Sequence, residues 1–324
     1  MRFPLHGVTA RAGATLDAAV AAAVVASQKR RPTRIERLSH EARLAEFALV
    51  RDAYGERRFL EEPDTFFSPP APVELRLVAA ATRLREATVL DASWPSPHAP
   101  HLPEIEGRYA DAYNGVAHAR LYLHREPRPA VMVVHGYLTG HFAFEERVWP
   151  LAWLHHRLGL DVAVFTLPFH GLRADPTRRG PPPFPAADPR LTVEAFRHAV
   201  GDLRVLLRWL RERGSPEVGV IGMSLGGYTV SLLATVESQL AFLVPMIPLA
   251  SIADLARDTG RLGRGPERDV QHRLYDEAHR VVSPLARPSR VAPEAVLVIG
   301  AAGDRSTHLR HAGRLAAPFA APLV

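Results

Sequence analysis

The sequence predicts an α/β architecture: a mostly parallel, doubly wound sheet flanked by helices, preceded by a helical N-terminal extension. Three observations predict it. From Ala87 onward, short β-branched or apolar runs alternate with longer amphipathic stretches, the pattern of a parallel sheet covered on both faces. Between Thr192 and Arg213 the apolar residues Val193, Phe196, Val200, Leu203, Leu207 and Leu210 recur at helical spacing, and Gly214 follows as a C-terminal cap. The segment E-V-G-V-I-G-M-S-L-G-G-Y-T-V, Glu217 to Val230, passes from strand formers through a glycine-flanked serine into an apolar helix.

The remaining elements follow in chain order. Residues 1–72 form the expected helical extension. Thr33-Arg34-Ile35-Glu36 has capping-box spacing, and Ile35, Leu38, Ala42, Phe47 and Val50 then mark one helix up to Gly55. Pro63, Pro69, Pro70 and Pro72 break that pattern and set the boundary to a second domain over 73–324. Strands are predicted at Ala87-Leu90, Ala119-Leu123, Ala130-Val134, Asp161-Thr166, Val218-Ile221, Phe242-Met246 and Ala295-Ile299, with a further helix over Glu145 to Leu158. Two stretches, 173–189 rich in proline and arginine and 257–290 rich in charge, fit neither pattern. Both leave the carboxyl ends of predicted strands, where open α/β sheets bind ligands, so both are candidate lid elements.

Composition narrows the function classes. With 324 residues and 35.6 kDa the chain buries a substantial core. The absence of cysteine excludes disulfides, thiolate nucleophiles and cysteine-based metal centres. The net charge of +6 comes from arginines scattered among acids, with Lys29 the only lysine, which argues against a nucleic-acid partner. The apolar run Leu16 to Ser27 contains Asp17 and falls short of the ~20 residues that span a bilayer, so no membrane span and a cytoplasmic location are expected. His98 with His101 and His155 with His156 have metal-like spacing but no evident third ligand. They are read as surface or loop residues, and no metal or other cofactor is expected.

Gly222-Met223-Ser224-Leu225-Gly226 matches G-x-S-x-G. Between a strand and a helix this pattern makes a turn so tight that side chains at either glycine would strike backbone, while the serine hydroxyl projects at the helix N-terminus. Further matches are V-M-V-V-H-G (Val131 to Gly136), F-T-L-P-F-H-G-L-R (Phe165 to Arg173) and L-V-I-G-A-A-G-D-R-S (Leu297 to Ser306). With these, the chain from about Ala87 to its end resembles the α/β-hydrolase superfamily of serine esterases and lipases. The resemblance implies a nucleophile elbow at Ser224, an oxyanion hole from the amides of Tyr137 and Leu225, and a triad acid at Asp304, with Asp254 the alternative. Gly222, Gly226, His135 and Gly136 support that geometry, and His135 and His170 shape loops rather than transfer protons.

The triad histidine is the unsettled part. The resemblance puts it after the acid, beyond the last core strand. Only 20 residues follow Asp304, a predicted helix from His308 to Phe319 and then A-A-P-L-V entering a strand. Three readings stay open: the chain stops short of its histidine loop after Val324, His311 or His308 serves, or there is no base. The expected activity is hydrolysis of a small-molecule, ester-like acyl substrate through an acyl-enzyme on Ser224, with transfer to another acceptor as a variant. The alternative is a catalytically impaired protein of the same fold that binds a small ligand or partner.

Overall fold

A computed structural model describes residues 33–324, apart from 83, 85, 86, 110–112 and 302–308. Seven strands form one sheet: β1 (Arg76–Ala79), β2 (Thr88–Pro95), β3 (Val116–Leu123), β4 (Ala130–Val134), β5 (Asp161–Phe165), β6 (Val218–Met223) and β7 (Leu243–Met246). Their order is β1-β2-β3-β5-β4-β6-β7. The first three strands are antiparallel, β3 is antiparallel to β5, and β5, β4, β6 and β7 run parallel. Every residue of β4 and β5 is buried, as helices on both faces require of apolar runs such as A-V-M-V-V.

The sheet continues past β7 through parallel bridges, Leu243 to Val296, Met246 to Ile299 and Val298 to Leu323. The predicted strand at Ala295-Ile299 is therefore present as bridges, with Ala295 itself ending a short 3-10 turn. β1 was not foreseen. All four of its residues are exposed, so it lacks the buried alternation that marks a strand in sequence.

Among the described residues, seven principal helices pack around the sheet: α1 (His40–Tyr54), α2 (Phe142–Val148), α3 (Pro189–Glu212), α4 (Leu225–Val236), α5 (Ile252–Asp258), α6 (Gly265–Ala278) and α7 (Leu309–Ala316). The Thr33/Glu36 capping box forms, with Thr33 N–H donating to Glu36 Oε2 at 2.7 Å. It caps only a 3-10 turn, Ile35–Arg37, and α1 starts anew where Ser39 accepts from Ala42 N–H. Likewise the helix predicted over Glu145 to Leu158 stops at Val148, and Trp153–Arg157 forms a separate π-type turn. Pro150 explains the break, since it offers no N–H and pushes Trp149 out of helical geometry.

The charged stretch 257–290 holds the whole of α6, whose buried residues Gln271, Tyr275 and Ala278 form a narrow stripe at helical spacing. That stripe meets α1, the rings of Phe47 and Tyr275 lying 4.8 Å apart edge to face, and in the segment before α6 Arg261 O accepts from Arg43 Nη1. Tyr54 Oη donates to the buried Glu194 Oε1 of α3 at 2.9 Å. Residues of 33–72 thus share the main core with the sheet.

At its start, the 173–189 stretch is pinned by charge. Arg173 is fully buried and donates to Asp202 Oδ2 (2.8 Å), Asn114 O (2.9 Å) and His198 Nε2 (2.6 Å). Burial works against the Asp202 carboxylate, but Arg173, His198 and Ser96 outweigh it and hold its pKa well below the usual range.

His101 and His156 are exposed and His98 lies in a loop, as read, but one histidine of each pair has its ring buried. His98 stacks on His198 at 4.4 Å beside Glu194, and His155 is 1% exposed beneath the ring of His124 at 4.0 Å. In each case the partner comes from a distant part of the chain, His198 from α3 and His124 from just after β3, so local spacing did not reveal it. Among the described residues no helix is long and apolar enough to cross a membrane.

Candidate active site

Ser224 stands between β6 and α4 with φ 54° and ψ −110°, a backbone conformation that L-residues rarely adopt. Strain of this kind costs on the order of 1–3 kcal/mol and persists only where the surroundings enforce it. Here they do. Ser224 N–H donates to Met246 O at 3.0 Å, and Ser224 O accepts from Tyr228 N–H and Leu249 N–H. A Cβ on Gly222 would lie 2.4 Å from Gly226 O, and one on Gly226 would lie 2.2 Å from Val134 O. Glycine at both places is thus a steric requirement of the bend, as the motif predicts. Every residue of α4 is buried, which fixes the helix axis behind the serine.

The bend after β4 lies against this turn. β4 and β6 pair in parallel register, Val134 opposite Gly222, so His135 and Gly136 emerge beside Ser224. A Cβ on Gly136 would come within 3.6 Å of Ser224 Cβ. His135 is wholly internal to the bend: its Nε2 accepts from Leu167 N–H at 3.0 Å and its Nδ1 sits 2.7 Å from Gly136 O. That pattern makes the ring neutral with the proton on Nδ1, and burial pushes its pKa down to about 4. His170 is similarly buried, with Nδ1 2.8 Å from Pro168 O and a pKa lowered to about 3 by burial.

Backbone proximity sets the rest of the bend. A Cβ on Gly140 would strike His135 Nε2 at 2.6 Å, and one on Gly171 would strike Gly140 O at 2.1 Å. Glu145, unremarked in the sequence, ties the bend to α2 by accepting from Gly140 N–H (2.7 Å) and Trp149 Nε1–H (2.9 Å). A cavity of about 560 Å³ opens next to it, lined by Leu138, Thr139, His170, Arg178, Pro182 and Leu191. Tyr137 Oη donates to Pro182 O at 3.3 Å and so joins the bend to the proline-rich stretch.

The family model for alpha/beta hydrolase domain containing 18 matches residues 68–256, which include both bends. The chain belongs to this family.

Two uncharacterized proteins of Mycobacterium tuberculosis, Rv2627c of strain H37Rv and MT2702 of strain CDC 1551, are each 32% identical to this family member over 280 residues. The matches cover 85% of the chain, which spans 66% of the length of those relatives. Among solved structures, acetyl xylan esterase 1 from Thermoanaerobacterium sp. JW/SL YS485 superposes with a TM-score of 0.58 at 13% identity, covering 83% of this chain and 86% of its own. The acetyl xylan esterase from Paenibacillus sp. R4 gives 0.56 at 15% identity, covering 82% and 84%. At such identities the likeness is one of fold, and it is the α/β-hydrolase fold expected from the sequence.

Within this family member the predicted triad acid and base are not brought to Ser224 among the described residues. Asp304 and His308 lie outside the described residues. His311 sits in α7, buried, with Nδ1 accepting from Ala250 N–H at 3.2 Å and Nε2 3.9 Å from Asp258 Oδ2. Burial lowers its pKa. A histidine acting on a serine needs the opposite arrangement, Nδ1 protonated toward an acid and Nε2 free toward the hydroxyl. Asp254, the alternative acid, is taken up by Arg257 and His272, both at 2.8 Å, and by Arg314. Burial raises its pKa, but these partners prevail and lower it overall. It ties α5, α6 and α7 together.

Proposed function

We propose that this hydrolase is a serine esterase-like enzyme in which Ser224 Oγ attacks the carbonyl carbon of a small acyl substrate. The single observation that supports this most is the strained Ser224 turn, enforced on every side and facing the His135-Gly136 bend. The attack forms the serine acyl bond as the base takes the hydroxyl proton. The bond to the leaving alcohol then breaks as that proton passes to the alcohol oxygen. Water repeats the sequence to release the acid.

The amides of Tyr137 and Leu225 are assigned to the oxyanion, each such donor being worth about 10²–10³ in rate because it meets charge present only in the transition state. Leu225 opens α4, so its N–H belongs to the first turn, which has no acceptor within the helix. Asp304 is assigned as the acid. For the base, His308 is favoured over His311, whose Nδ1 is engaged by Ala250 N–H.

A fluorophosphonate probe followed by peptide mapping tests the reading. Stoichiometric labelling on Ser224, lost in Ser224→Ala, supports it, together with hydrolysis of 4-nitrophenyl acetate. A folded protein that stays unlabelled overturns it and favours the impaired, ligand-binding alternative.

A further inference from the structure

Three side chains unconnected with Ser224 meet at the amino ends of the parallel strands. His124 directly follows β3, Asp161 opens β5, and His155 lies in the π-type turn before β5. One ligand-capable atom from each lies within 4.8 Å of the other two. His124 Nδ1 is 2.9 Å from Asp161 Oδ1, and the two imidazole rings stack at 4.0 Å.

Each partner is held by its own anchors. The Asp161 carboxylate accepts from His124 N–H (2.7 Å), Arg128 N–H (3.3 Å) and Arg213 Nη1 (2.7 Å). His155 Nδ1 lies 3.0 Å from Leu160 O. A carbonyl only accepts, so Nδ1 carries the proton and Nε2 presents a lone pair. That Nε2 is buried and has no hydrogen-bond partner among the described residues. A buried acceptor left unmet is costly, and an imidazole whose other nitrogen is fixed by a carbonyl is the usual form of a metal ligand.

We propose that His124, His155 and Asp161 form a site for one Zn²⁺ ion. His155 contributes Nε2. The ion displaces the proton shared by His124 Nδ1 and Asp161 Oδ1, which already stand near the ~3.3 Å separation of two ligands on a tetrahedral ion with bonds of about 2.0–2.1 Å. Two imidazoles and a carboxylate, with no thiolate in the chain, are a donor set suited to Zn²⁺. Arg213 opposes the ion's charge, yet it also keeps the far carboxylate oxygen turned away and donates to His124 O at 2.7 Å.

The site is structural rather than hydrolytic. Asp161 pairs with Ala130, which pairs with Val218, and from that level β6 runs to Met223 before reaching Ser224, about 20 Å at ~3.3 Å per residue. An ion here would stitch the end of β3 and the π-type turn to the start of β5.

The test uses the full-length, metal-free protein, titrated with ZnCl₂ against a chromophoric chelator and with CoCl₂ read by visible absorption. The proposal expects one equivalent of Zn²⁺ bound, a tetrahedral Co²⁺ spectrum and a rise in melting temperature with zinc. His124→Gln and His155→Gln should lose all three, and His156→Gln, at the exposed neighbour, should keep them. His124 is partly exposed, so His124→Gln decides the matter if His155→Gln does not fold. Binding unchanged in His124→Gln, which is an adventitious ion only, or no one-equivalent binding to the wild type overturns the proposal.

Discussion

The two ends of the parallel sheet are built by opposite means. At the carboxyl end, around Ser224, the geometry rests on backbone pressed against backbone: Gly222 on Gly226, Gly226 on Val134 and Gly171 on Gly140 leave no room for a Cβ. At the amino end, around Asp161, it rests on side chains, with His124, Arg213 and two backbone amides converging on one carboxylate. A region defined by missing side chains resists any enlargement. A region defined by polar contacts should tolerate isosteric change at moderate cost.

The contrast can be broken or sharpened experimentally. The largest expected effect is chemical: Ser224→Ala should lower 4-nitrophenyl acetate turnover by about 10⁴-fold or more while leaving the melting temperature within a few degrees. Next comes Gly226→Ala, whose Cβ would sit 2.2 Å from Val134 O. It should cost more than about 4 kcal/mol in urea unfolding, or prevent folding. Arg173→Met, which strands Asp202 and His198 without their cation, should cost about 3–5 kcal/mol by the same measurement.

Acid should act through the buried histidines. His135, His170 and His279 have pKa values pushed down by burial to about 4, 3 and 4, against about 6.5 when unfolded. The unfolded chain therefore binds protons that the folded one does not. The stability these rings contribute is full above pH 6.5 and is lost as pH falls toward 4, on the order of 3 kcal/mol for each ring, and calorimetry across that range should show proton uptake on unfolding. The smallest effect is expected at the amino end, where Asp161→Asn keeps the shape but weakens the Arg213 contact, costing about 1–3 kcal/mol.

The same contrast explains what was legible in the sequence. The G-x-S-x-G turn, the His-Gly bend and the positions of the parallel strands along the chain are local, because glycines and apolar runs act on their immediate neighbours. The amino-end cluster joins His124, His155 and Asp161 through the fold alone, and only the adjacent pair His155-His156 drew notice, under the wrong reading. Ser96, Arg173, His198 and Asp202 were missed for the same reason, as polar groups brought together in the interior from three separate segments, His198 and Asp202 both from α3. Glu145 hides inside an amphipathic helix, where a glutamate ordinarily means solvent. Even strong local signals were limited: the capping box at Thr33 formed, but on one turn rather than on the long helix that follows.

The proline-rich stretch after β5 has one further consequence. Arg173 locks its first residue into a charged cluster, and at the other end Phe184 is packed on Phe196 while Thr192 Oγ1 accepts from Ala186 N–H. The intervening residues form an arch with both feet set in the core. Swinging it aside as a hinged flap would draw a paired guanidinium out of its seat, so any opening of the stretch expected as a lid would fall to the residues between its feet, around Gly180.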